Sequence, residues 1–188
     1  MNSIIDSLLL TTVGVFIGYL AKAVYDDFTM PRLMIQNDTY YVNLPNFQLY
    51  LPYTRLTQPT PSNLVAYRAR VENKQKLLLN SAAENCIAWI ELNGSKEPYQ
   101  ISWVGSHASV TINVGDYREL DFCALAKNLN IIIAPTEGGY SNTPRCIGKV
   151  GGVIEGTLRV TSSNGKTAQR RFSIKSPATT GLLDIVFK

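Results

Sequence analysis

Strict alternation of apolar and polar residues is the feature that most constrains this chain. From Leu64 to Glu72, Val65, Tyr67, Ala69 and Val71 fall on one side and Ala66, Arg68, Arg70 and Glu72 on the other. Side chains two apart share a face only in an extended strand, so this run reads as a half-buried antiparallel strand. Asn85 to Leu92 repeats the pattern, with Cys86, Ala88, Ile90 and Leu92 together and Trp89 opposite. Short runs of the same kind follow at Tyr99 to Val104, Ser109 to Val114, Arg118 to Leu125 and Leu129 to Ala134, punctuated by Gly94, Gly105 and Gly115-Asp116. Val153 to Thr161 and Thr167 to Lys175 flank Ser162-Ser163-Asn164-Gly165, where Asn-Gly signals a hairpin turn. Ile154, Leu158 and Val160 are expected to face Phe172 and Ile174 across the core. Arg32 to Gln36 is a candidate first strand, and Phe47 to Leu51 a candidate edge strand inside the Pro-rich stretch Asn43 to Pro61. Glu137 to Gly152 reads as a glycine-rich loop. Short strands with turns every 8 to 12 residues predict a mainly β, antiparallel sandwich. Its core should include Val71, Ile90, Ile112, Phe122, Leu158 and Phe172.

The N-terminus breaks this pattern. Ser7 to Ala21 carries no charge and is flanked by Asp6 and Lys22. Fifteen residues are fewer than the roughly 20 of a typical span. With the flanking charges turned outward, Ile4 to Tyr25 supplies about 33 Å of helix, and Tyr19 and Tyr25 suit the interfacial level. The segment has no basic n-region, although Ala21-Lys22-Ala23 has the look of a cleavage site. The expected organisation is a transmembrane anchor helix over 1–28, a sandwich domain over 29–176 and a tail over 177–188. Gly14 and Gly18 form a GxxxG through which two such helices could pair. Lys22 and Arg32 lie on the C-terminal side of the helix and no Lys or Arg on the other, which leans the domain towards the cytoplasm.

Composition narrows the function classes. The 188 residues carry a formal charge of +4, with 17% charged side chains against roughly 25% in an average domain. The basic residues are scattered, and Arg170-Arg171 point to opposite faces of a strand, so a nucleic-acid stripe is not expected. Cys86, Cys123 and Cys146 form no CxxC pair; with one histidine they make an unpromising zinc set. Two buried thiols in strands and one loop thiol is the plainer reading. His107, the sole histidine, sits in a turn expected between strands, without the G-x-S-x-G elbow of a hydrolase. Glu119 and Asp121 share a strand face about 7 Å apart, within reach of a glycosidase pair, yet they alternate as a solvated face would. Gly148-Lys149-Val150-Gly151-Gly152 lacks the Gly-Lys-Ser/Thr and following helix of a phosphate loop. The expectation is a binding protein, not an enzyme, with no catalytic, cofactor or metal residues and no cofactor.

Arg70-Val71-Glu72-Asn73, Ala83-Glu84-Asn85-Cys86, Trp103 and Val110-Thr111-Ile112-Asn113-Val114-Gly115-Asp116 together resemble immunoglobulin-like domains of prokaryotic surface and membrane proteins, adhesion-related domains among them. Pro31-Arg32-Leu33 after the helix is similar to uncharacterised archaeal and bacterial single-pass membrane proteins carrying such a domain. The sequence departs from the usual pattern with Lys74-Gln75-Lys76 after Asn73. The resemblance implies an immunoglobulin-like sandwich with a tethered interaction or scaffolding role, as an accessory subunit of a membrane complex. Its partners would be lipid around the helix and other membrane proteins. The alternative is an outward-facing cell-envelope or filament structural protein. Asn43 to Pro61, Glu137 to Gly152 and the tail Gly181 to Lys188 are the expected contact surfaces, because binding residues gather on segments carried by a rigid scaffold.

Overall fold

The computed structural model describes residues 2–49, 51, 60–74, 81–105, 108–136, 139–140, 144–176 and 181–188, with the side chains of 2–9 and 60 excepted. A helix, α1 (Asn2–Thr29), precedes two antiparallel sheets. The first runs in the order β1 (Leu33–Leu49), β2 (Thr60–Asn73), β6 (Tyr117–Ala126), β7 (Ile131–Ala134), β8 (Arg145–Lys149). The second runs β11 (Asp184–Phe187), β10 (Ala168–Lys175), β9 (Val153–Thr161), β3 (Ala83–Leu92), β4 (Tyr99–Ile101), and β5 (Val110–Ile112) pairs with β3. The mainly β architecture expected from the alternation is therefore present, as two sheets enclosing one core.

That core is built from the alternating positions. Val71, Ile90, Ile112, Phe122, Leu158 and Phe172 are all buried. Phe122 of the first sheet meets Phe172 of the second edge to face at 4.9 Å, and Phe187 of β11 stands 5.4 Å from Phe122. Ile154 and Ile174 do not oppose each other across the core as expected. They are hydrogen-bonded neighbours on β9 and β10 of one sheet, since the Asn-Gly hairpin joins adjacent strands. The two sheets are linked along both sides. Arg145 of β8 lies over the Tyr99 ring of β4 at 4.9 Å. On the other side Arg170 of β10 donates to Asn37 of β1, and the Leu183 N–H donates to the buried Tyr67 hydroxyl at 2.6 Å. After β4 the chain crosses over: Trp103 bridges to Leu120 of the first sheet while its indole N–H donates to the Cys86 carbonyl.

Several expectations need correction. Of the 177–188 tail, the stretch Asp184–Phe187 forms β11, which pairs with β10 and sends Phe187 into the core. The Glu137 to Gly152 loop contains a strand, β8, and its Cys146 is an exposed strand thiol, not a loop thiol. Gly148 in this strand packs closely on Ile154: a Cβ there would meet Ile154 Cδ1 at 2.4 Å. β1 runs past Gln36 to Leu49, carrying Pro45 on an edge strand where a missing donor is tolerated.

The immunoglobulin-like arrangement finds no support in the strand order. In that arrangement the strand beside the B–E pair precedes E in sequence. Here β7 follows β6 directly, through the short 3-10 turn Lys127–Leu129.

The transmembrane expectation for 1–28 finds no support in the described helix. The helix is present, but among the described residues no helix is long and apolar enough to cross a membrane. Described side chains begin at Leu10, and from there Lys22, Asp26 and Asp27 interrupt the apolar run. Every residue from 10 to 25 is nevertheless exposed, including Leu10 at 78%, Val15 at 69% and Phe16 at 62%. The sandwich covers none of this surface.

Candidate functional site

Two regions bear on function: the joint between helix and sandwich, and the outer face of the first sheet. The joint is built around Asn73, which is polar and wholly buried. Its Oδ1 accepts from the Arg32 N–H at 3.1 Å, and its Nδ2 donates to the carbonyls of Ser81 and Ile112, both at 3.0 Å. Its backbone N–H donates to the Asp116 carbonyl, and its own carbonyl accepts from Gly115. One amide thus ties together the start of β1, the end of β2, the approach to β3, and β5 with its following turn.

The helix end is held to this hub. Thr29's carbonyl accepts from both the N–H and the hydroxyl of Ser81, at 3.1 and 2.9 Å. Asp27 is paired with Lys166 at 2.6 Å and with Arg32 at 3.7 Å. Gly165 packs so close that a Cβ would meet Pro31 Cγ at 2.6 Å. Asn164 in the same turn accepts from the Glu84 N–H and donates to the Ala82 carbonyl. The helix leaves the sandwich from a latched base, not from a free linker.

On the outer face of the first sheet, Glu119 and Asp121 do share a face as the alternation requires. They are engaged with arginines. Arg68 Nε donates to Asp121 at 3.0 Å, Arg68 also approaches Glu119 at 3.9 Å, and Arg70 reaches Glu119 at 3.5 Å. The Arg70 guanidinium lies over the rings of Tyr40 and Tyr117, at 5.2 and 4.8 Å. Burial raises the Asp121 carboxyl above its ordinary value, against the opposing pull of Arg68. The arrangement is a cross-strand ion-pair lattice, in which each carboxylate is paired with an arginine.

Beside this lattice lies a second apolar cluster that the alternation did not predict. Leu49, Leu51, Leu64, Ala66, Ala124, Ala126, Ile133 and Tyr140 bury one another on the outer face. The sequence signal was there: Ala66, Ala124 and Ala126 are small apolar residues at positions the alternation assigns to solvent. The Tyr140 ring meets Phe47 edge to face at 6.4 Å. Its hydroxyl is buried without a partner among the described residues, and burial raises its pKa well above the usual phenol value. Of the expected contact surfaces, Asn43 to Pro61 and Glu137 to Gly152 each contribute to this cluster through residues now buried in it.

The remaining candidates are dispersed. His107 lies outside the described residues. Cys86 and Cys123 are buried, and burial pushes the Cys86 thiol up to about 11 and the Cys123 thiol higher still. A thiol so raised is a poor nucleophile at neutral pH. Gly14 and Gly18 have open space where a Cβ would stand, on a helix exposed all round. No protein-family model, no curated protein and no solved structure matches this chain.

Proposed function

We propose that this chain is a membrane-tethered β-sandwich that acts by binding, as a scaffold or accessory subunit of a membrane complex. The observation that carries the reading is the exposure of α1. Val15, Phe16, Ile17 and Leu20 project to different sides of the helix, and all are uncovered. A helix apolar all round is covered by something, and lipid is the cover that needs no matching surface. The apolar stretch continues in sequence through Ile4, Ile5, Leu8 and Leu9, which brings the length towards that of a span. Lys22 and Arg32 at the domain side favour the cytoplasmic face for the sandwich under this reading. Binding is favoured over turnover because Glu119 and Asp121, which share a strand face, are bound up with Arg68 and Arg70.

The test is alkaline carbonate extraction of membranes from cells making the full chain. The wild type stays in the membrane pellet. Replacing Val15 and Ile17, which lie on opposite sides of the helix, by Lys releases it, because each cation costs about 2.5–3.5 kcal/mol near a helix centre. A wild-type chain extracted by carbonate would overturn the reading. The outward-facing filament or envelope protein is the second reading, favoured by the open Gly14 and Gly18 positions, where a neighbouring copy's helix could approach closely. Cysteine crosslinking at Gly14 between copies in intact cells, with outside reagents labelling Asn164→Cys, would select it.

A further inference from the structure

A cavity of about 400 Å³ opens on the second sheet, lined by residues of β9 and β10, the turn after β3 and Lys188, which follows β11. Its frame is backbone. The Asn93 N–H donates to the Glu155 carbonyl at 2.9 Å, Thr157 and Arg171 are direct partners across β9 and β10, and the Lys188 N–H donates to the Arg171 carbonyl at 2.8 Å. Gly156 is required at the centre: a Cβ there would meet the Glu91 carbonyl at 2.4 Å and Phe172 Cζ at 2.8 Å. Gly156 turns its open side to Phe172 and the core, and on the opposite face of the sheet Glu155, Thr157, Asn93, Arg171 and Lys188 surround an open space.

The chemistry of that lining is uneven. Lys188 is paired with Glu155 at 3.7 Å. The side chains of Arg171, Asn93 and Thr157 find no partner among the described residues. One unpaired guanidinium, one amide and one hydroxyl therefore line a single cavity. A guanidinium fork with neighbouring neutral donors matches a planar carboxylate, which accepts two parallel N–H bonds and leaves lone pairs for an amide and a hydroxyl. The cavity also lies six residues along β9 from the end that holds α1, about 20 Å of strand. That separation favours a peptide over a lipid headgroup at the surface α1 enters.

We infer that this cavity is a docking site for an acidic peptide, which inserts a Glu or Asp carboxylate against Arg171 with Asn93 and Thr157 as supporting donors. The inference rests on the binding-module reading above and supplies the chemistry of its partner. The membrane extraction test does not involve these residues, so the two ideas fail separately.

The experiment measures binding of a fluorescent acetylated tri-glutamate peptide to the full chain in mild detergent, beside its tri-glutamine counterpart and inorganic phosphate. The glutamate peptide should bind saturably and the glutamine peptide should not. Arg171→Gln should weaken binding by about tenfold or more. Glu155→Gln, which removes the one anion of the lining and frees Lys188, should strengthen it several-fold, a gain that misfolding cannot mimic. Equal binding of the two peptides, phosphate preferred over the glutamate peptide, or unchanged affinity in Arg171→Gln would each overturn the inference.

Discussion

At the residue scale, single polar groups decide where the chain can be altered. Asn73→Ala would strip partners from the Arg32 N–H and from the carbonyls of Ser81 and Ile112 at once. Leaving such groups unpaired in the interior costs about 2–4 kcal/mol in all. Chemical denaturation of the variant checks this, and a loss under about 1 kcal/mol would mean that water replaces the amide. Tyr140→Phe should behave oppositely. It removes a buried hydroxyl that has no partner among the described residues, so stability should hold or rise by up to about 1 kcal/mol. Burial raises the pKa of Tyr67, Tyr99 and Tyr140 above 10.0 and of Cys86 and Cys123 above 9.0. Each group ionises first in the unfolded chain. Their stabilising effect is whole below about pH 9 and is lost as pH rises through the unfolded values towards the folded ones. A melting series from pH 8 upward should show a steady fall, and a shallower one in Tyr140→Phe. The Asn73 hub could not be read from the sequence, because an asparagine after an alternating strand looks like any turn residue until its three partners, 8 to 41 positions away, are in place.

At the element scale, strands announced themselves where one face is buried and the other is wet. β9 occupies the residues expected for it, and β2 and β3 differ from expectation only at their ends. Alternation failed where both faces are covered or where glycine replaces an apolar residue. The end of β6, Cys123 to Ala126, is buried on every residue, since the second cluster covers its outer side. β8 hides in Arg145-Cys146-Ile147-Gly148-Lys149, whose glycine is a packing requirement and not a break. Register irregularities also leave a trace in the sequence. Asn46 and Asn85 adopt left-handed φ of 53° and 49°, and both lie at shifts in strand pairing. Asparagine tolerates that region better than other residues with a Cβ. Gly148 and Gly156, both close-packed, should differ on substitution. Gly148→Ala presses on the flexible end of Ile154, whereas Gly156→Ala presses on the Glu91 backbone, which cannot step aside. Gly156→Ala should cost more, about 1–3 kcal/mol, and equal melting of the two variants would contradict this packing. Phe172→Ala should be costlier still, about 3–5 kcal/mol, because its ring contacts both Phe122 and Phe187.

At the scale of the whole molecule, the chain pairs a well-filled sandwich with a helix that the sandwich leaves bare. Apolar content alone could not separate the two: the same residue types make the core and the surface of α1. Length and periodicity could, since α1 lacks the alternation found everywhere else. The strand order was beyond reach, because pairing of β2 with β6 and of β3 with β9 joins segments more than forty residues apart. The latched base, with Asp27 between Lys166 and Arg32, means that the helix and the domain should orient together. Neutralising the latch with Asp27→Asn should loosen that coupling while leaving the melting of the sandwich within about 1 kcal/mol, as exposed pairs do. The central claim, a sandwich that folds on its own core while α1 is covered by lipid, is tested most directly by amide hydrogen exchange of the full chain with and without lipid vesicles. The account predicts slow exchange in β2, β3, β6 and β9 under both conditions, and strong protection of α1 side-chain-exposed positions such as Val15 to Leu20 only when lipid is present. Exchange in α1 that is the same with and without vesicles would contradict it.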